Sequence, residues 1–168
     1  MKTSQVVELL DREFRVVEVG DPYLVKHALS DTGRAQATEG FLREKSGLMF
    51  NFTEIVSKVY CVVFTTRKVL DRLLEITKEP SLLFTHHPHD YHEDARGVGP
   101  FPEDYLAKLK QREIAAYTIH TPLDVGLNIS VSKSLAQRLS LSSPQPFSEA
   151  CGGHLGIMGS LCKTNLNE

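Results

Sequence analysis

The chain carries only three cysteines, Cys61, Cys151 and Cys162, an odd number with no CxxC spacing. A disulfide framework is excluded, and the three are expected to be reduced thiols of a cytoplasmic protein. No apolar run is long enough to span a bilayer. The opening "MKTSQVVELLDREF" is interrupted by charge every few positions, unlike a signal peptide. There is no basic excess either. Nineteen Lys and Arg stand against 21 Asp and Glu, a net charge of -2, so neither nucleic acid nor a membrane is an expected partner. G-x-S-x-G and G-x-x-x-x-G-K-[ST] are both missing, which leaves no support for a serine nucleophile or a phosphate loop. What remains is 168 residues, 41% hydrophobic and 24% charged, enough for one α/β domain over residues 1–168 with its own core.

The middle of the chain has a regular rhythm. Thr3 can cap a first helix running to about Phe14, and residues 21–45 hold helical patches broken at Gly33 and Gly40. "SKVYCVVF" (57–64) predicts a buried strand with Cys61 as packing, and "RKVLDRLLEIT" predicts a helix capped by Thr65 or Thr66. "SLLFT" (81–85) and "IAAYTIH" (114–120) predict two further strands. "PEDYLAKLKQRE" predicts a helix with proline and acid in its first turn. "NISVSKSLAQRLS" (128–140) predicts an amphipathic helix through Val131, Leu135 and Leu139. Strands alternating with helices imply a parallel or mixed sheet flanked by helices. Residues 146–168 are expected to form a glycine-rich turn and a polar tail.

"LLFTHHPHDYHED" (82–94) puts four histidines into seven positions. They could be a metal site, a solvated loop or an accident of composition. In a parallel sheet all strands end at one edge, where ligand sites gather. That edge receives His86 and His87 from one strand, and His120 and Asp124 from the next. Two imidazoles and a carboxylate suit a first-row metal. Adjacent strand residues point to opposite faces, but a strand's end releases the pleat and lets both rings face one cavity. Pro122 argues against a helix through 120–124, so His120 and Asp124 are expected on a strand-to-loop turn. His89, His92, Asp90, Glu93 and Asp94 are expected to be solvated, and His154 structural or exposed. "ARGVGPF" is expected to be a flap over the site.

An apolar strand ending in "THHP" (85–88), followed one helix later by "AYTIHTPLD" (116–124), resembles the Nif-three-like family of dinuclear metal-centre proteins. These are also known as GTP cyclohydrolase type-two homologues. "SGLMF", "NISVSKSLAQRLSL" and "CGGHLGIMGSL" extend the resemblance over roughly residues 46–161. The resemblance implies that His86 and His87 are ligands of separate metals and that Asp124 is shared between them. It places His120 beside the site; by its position alone His120 could be a ligand or a supporting or catalytic group, and the supporting or catalytic role is the expectation. It also implies divalent cofactors (zinc, iron or manganese, up to two per chain), a cytoplasmic homo-oligomer of hexameric form, and metal-dependent hydrolysis of a nucleotide or phosphoester. Some members of the family partner transcriptional regulators, so a non-catalytic binding protein with a partial site is the alternative expectation. The family's remaining histidine and glutamate ligands lie beyond the glycine-rich turn, and "CKTNLNE" has no such pair. The chain is therefore expected to hold the first part of the site and to be incomplete relative to the family's full fold. Glu93, Glu149 or a neighbouring subunit would have to supply the rest.

Overall fold

The computed structural model describes residues 1–22, 28–92, 94–126 and 129–161. Four short helices open the chain: α1 (Thr3–Glu13), α2 (Val16–Val19), α3 (Asp31–Gln36) and α4 (Glu39–Glu44). The main sheet contains β1 (Gly47–Phe50), β2 (Lys58–Phe64), β3 (Ser81–His87) and β6 (Ile114–Thr118), in the order β1-β6-β3-β2. Between β2 and β3 lies α5 (Arg67–Ile76), capped by the Thr66 hydroxyl, which accepts from the Val69 N–H at 3.3 Å. A small hairpin of β4 (Asp90–Tyr91) and β5 (Val98–Gly99) follows β3. A 3₁₀ turn (Glu103–Tyr105) leads into α6 (Leu106–Gln111). After β6 come α7 (Thr121–Asp124), α8 (Val131–Arg138) and a long hairpin of β7 (Leu141–Ala150) and β8 (Gly153–Leu161).

The three strands read from the sequence are parallel neighbours, β2 with β3 and β3 with β6. The sheet is mixed because β1, only four residues long, pairs antiparallel with β6. Gly47 opens it at φ +99°, a backbone that a side-chain-bearing residue adopts only under strain. The central strands are buried on both faces, as parallel strands flanked by helices must be. Pleating divides their side chains. Leu83, Ile114 and Ala116 join Phe41, Phe50, Leu70, Leu106 and Leu109 in one core. Leu82, Ala115 and Tyr117 join Val16 and Ile119 on the other face, where α1 lays Val6, Val7 and Leu10. Each fully buried leucine contributes about 1.5–3 kcal/mol.

Several expectations are overturned. β2 is an edge strand with one uncovered face, so Cys61 is exposed instead of packed, and Val59 and Val63 are exposed beside it. The first helix is capped at Lys2, not Thr3, which is buried within its first turn. The helix over 128–140 begins at Val131 behind the Ser130 cap, and its stripe of Val131, Leu135 and Leu139 is more than half exposed. The glycine-rich stretch is strand: β7 and β8 pair over most of their length. Gly156 sits across from Phe147, whose ring would lie 2.5–2.9 Å from any added Cβ. Any larger residue there would have to displace the half-exposed Phe147 ring. The remaining residues of the expected polar tail, 162–168, lie outside the described residues. "ARGVGPF" contributes Val98–Gly99 to the small hairpin.

Candidate metal centre

Because β3 and β6 run parallel, both release their chains at the same edge of the sheet. β3 ends later than the sequence suggests: His86 and His87 are still in the strand, and His87 pairs with Phe64 of β2. Their rings nevertheless approach to 4.3 Å between centroids, and both reach His120, at 5.0 and 4.8 Å. One nitrogen from each of the three imidazoles can be chosen so that all lie within 4.8 Å of one another.

Asp124 is present as expected, but on different backbone. Residues 121–124 form a single helical turn, α7, with Pro122 in its first positions, where its missing N–H costs nothing. The expected strand-to-loop turn is replaced by an i,i+4 pair. His120 is the N-cap of α7 and Asp124 its last residue. The two Asp124 oxygens face two histidines: Oδ1 is 3.5 Å from His86 Nε2, and Oδ2 is 3.8 Å from His120 Nε2.

The far side of each ring explains this aim. His86 Nδ1 lies 2.9 Å from the Ile119 carbonyl, which can only accept, so Nδ1 carries the hydrogen and Nε2 is the nitrogen turned to the site, with a lone pair whenever the ring is neutral. His120 Nδ1 lies 2.9 Å from Asp21 Oδ2. Asp21 also accepts from the Thr121 N–H at 3.2 Å and the Thr121 hydroxyl at 2.8 Å. Burial would raise the Asp21 pKa, but these hydrogen bonds outweigh it and hold the carboxyl below its ordinary value. Bonding to Asp21 raises the His120 pKa. Burial, then repulsion from His86, His120 and His89, lowers His87 to about 4, so its imidazole is neutral at pH 7.

These contacts test whether a divalent cation fits. A carboxylate is an acceptor, and so is His86 Nε2 in the neutral ring. The two face each other at 3.5 Å, beyond a good hydrogen bond, and need a proton or a cation between them. Three half-buried imidazoles and one carboxylate match the donor preference of first-row metals. Fixing His86 through a carbonyl and His120 through a carboxylate is the support that ligating histidines use. The residues fit.

Asp21 has no signal in the sequence. It sits 99 residues from His120 in a stretch without clear periodicity, and no local spacing links the two. His89 and Asp90 are expected to be solvated, but both are buried. The His89 carbonyl accepts from Thr65, and the Asp90 carboxylate receives the Arg67 N–H at the start of α5. His92 is half-buried, 3.4 Å from Asp90. Asp94 is exposed and paired with Arg96, as a solvated residue should be. Glu93 lies outside the described residues, Glu149 is exposed on β7, and His154 is half-buried in a cleft of about 400 Å³ between α8 and the long hairpin. That cleft adjoins Val125 but contains none of the four converging residues. Among the described residues, no helix is long and apolar enough to cross a membrane.

Known proteins resemble this chain in sequence or in fold. A Deinococcus radiodurans protein named "GTP cyclohydrolase 1 type 2 homolog" is 27% identical over 116 residues, covering 69% of this chain and 43% of that protein. Among solved structures, the protein ybgI, of unknown function, superposes with a TM-score of 0.59 at 18% identity, over 89% of this chain and 51% of that one. TTHA1606 from Thermus thermophilus gives 0.59 at 20% identity, over 88% and 52%. A Bacillus cereus protein related to NIF3 gives 0.51 at 18%, over 88% and 36%. At these identities the structures share the fold. The chain spans about half the length of these relatives or less. The Duf34/NIF3 family (NGG1p interacting factor 3) matches residues 41–168, and the chain belongs to that family.

Proposed function

We propose that this protein holds a divalent metal through His86, His87 and Asp124 and uses it in hydrolysis of a nucleotide or phosphoester. The observation that carries the reading is the opposition of His86 Nε2 to Asp124 Oδ1, with the far nitrogen of His86 already committed to a carbonyl. A bound divalent ion in such a site lowers the pKa of water towards about 7 and polarises a phosphoryl or carbonyl oxygen. Residues of the chain do the rest. The Ile119 carbonyl fixes the tautomer of His86. Neutral His87 offers a ring nitrogen without competition from protons at pH 7. Asp21 holds His120 so that its Nε2 faces the site, where it can give or take a proton.

A second reading, that His120 is itself a ligand, is favoured by the closeness of the three imidazoles. His120→Gln separates the two. If His120 carries protons, the variant keeps its metal and loses activity. If His120 is a ligand, metal is lost as well. Hydrolysis itself is tested by comparing turnover of nucleotide and phosphoester substrates with an Asp124→Ala control. Metal-dependent turnover that the variant lacks supports an enzyme. Turnover no greater than the control's leaves the non-catalytic binding or assembly role, with metal serving structure. The name of the Deinococcus radiodurans relative supports the nucleotide side of this proposal.

A further inference from the structure

The rings at the site do not stop at the histidines. His87 stacks on Phe64, with centroids 4.4 Å apart and planes 19° from parallel. Phe64 in turn meets Tyr91, at 5.3 Å and 36°. The chain of rings therefore runs outward from the imidazole cluster, across the end of β2, and finishes at the surface on β4. Tyr91 is 46% exposed.

A single exposed tyrosine is ordinary, and by itself means nothing. Here its base is fixed in a way that surface loops seldom show. The two residues before it, His89 and Asp90, are buried at 7% and 5% exposure. The His89 carbonyl accepts from both the N–H and the hydroxyl of Thr65. The Asp90 carboxylate is held by the Arg67 N–H at 3.3 Å and by the Arg67 side chain at 3.4 Å, with His92 Nε2 lying 3.4 Å away. Across the hairpin, Val98 pairs with Tyr91 and is 56% exposed, which widens the apolar ledge. An aromatic ring presented outward on a rigid base binds at small entropic cost, and every nucleobase has a π-face to stack on it.

We propose that Tyr91, backed by Phe64, is a stacking platform for the base of a nucleotide whose phosphate is directed towards the His86–His87–His120 cluster. The proposal rests on the metal-centre reading for its phosphate end. Two ring-to-ring steps separate the cluster from Tyr91, a span that a nucleoside monophosphate bridges between phosphate and base. Stacking is tolerant of base identity, so the platform selects nucleotides over sugar phosphates and not one base over another.

The test is calorimetric titration of the protein, purified with its native metal, by AMP and by ribose 5-phosphate. The platform predicts that AMP binds about 5- to 150-fold more tightly, since stacking one base contributes roughly 1–3 kcal/mol. Tyr91→Ala should erase that preference, Tyr91→Phe should keep it, and ribose 5-phosphate should bind all three proteins alike. Equal affinity for AMP and ribose 5-phosphate, absence of binding by either, or an AMP affinity unchanged in Tyr91→Ala would overturn the proposal. Metal content read on the same samples separates the two claims. Metal-loaded protein without a Tyr91-dependent preference sinks the platform alone. Protein lacking metal that still prefers AMP through Tyr91 supports the platform and removes the metal reading.

Discussion

Replacing Asp21 with Asn changes one oxygen into a nitrogen at a side chain that is wholly buried. Among the described residues the carboxylate accepts hydrogen bonds from His120 Nδ1, the Thr121 N–H and the Thr121 hydroxyl. An amide keeps one oxygen and turns two N–H groups towards donors, so at least one bond is lost and the bond to His120 loses its charge. A hydrogen bond to a charged group is worth about 1.5–3 kcal/mol, and a total loss of about 2–3 kcal/mol follows. In a protein of this size each kcal/mol moves Tm by about 2–4 °C, so Asp21→Asn should melt about 4–12 °C lower. The His120 pKa, held above its ordinary value by Asp21, should fall back towards 6.5, which imidazole proton shifts in NMR will report. Metal affinity should fall about 10- to 100-fold, as it does when the partner of a ligating or site-facing histidine is removed. A variant that melts within about 1 °C of the parent and binds metal equally well would refute the claim that Asp21 positions His120.

Other consequences are open to measurement. Since the folded state holds His87 down to about 4 against 6.5 unfolded, its neutral form is favoured by folding. Stability from this group is complete above pH 6.5 and declines as pH falls towards 4. Metal-free protein should lose about 1–2 kcal/mol over that window after allowance for solvent screening, and His87→Gln should flatten the loss in urea titrations. The His120–Asp21 pair behaves oppositely on its histidine side: its contribution is complete below pH 6.5 and fades as pH rises through the raised His120 value. Thr66→Ala removes the cap of α5 and should cost about 1 kcal/mol in denaturant unfolding without changing metal content. Leu70→Ala, on the buried face of α5, should cost about 2–5 kcal/mol by the same assay.

Much of the architecture is legible in the residues because the strands that carry it are driven by burial. "SLLFT" and "IAAYT" are largely apolar on both faces, the pattern that central parallel strands carry. From there the meeting of His86, His87, His120 and Asp124 follows by topology. Residues whose environment is set by distant packing are not legible. Cys61 and Val63 have the composition of buried strand, but nothing in a local window says that, among the described residues, one face of β2 is left uncovered. The stripe through Val131, Leu135 and Leu139 has helical spacing whether or not anything covers it. Pro122 reads as a helix breaker, although the first turn of a helix is where proline is tolerated. Glycines at 152, 153, 156 and 159 suggest a turn, whereas Gly156 is strand that makes room for Phe147. Asp21 shows the limit most clearly, because its role exists only once its loop is folded against α7.

The most direct test of the metal centre is elemental analysis of protein purified without chelators or a polyhistidine tag, beside a His86→Ala/Asp124→Ala variant shown by circular dichroism to be folded. Stoichiometric divalent metal in the parent and its loss from the folded variant is the predicted result. A folded parent that carries no metal, or a variant that retains it in full, would contradict the account.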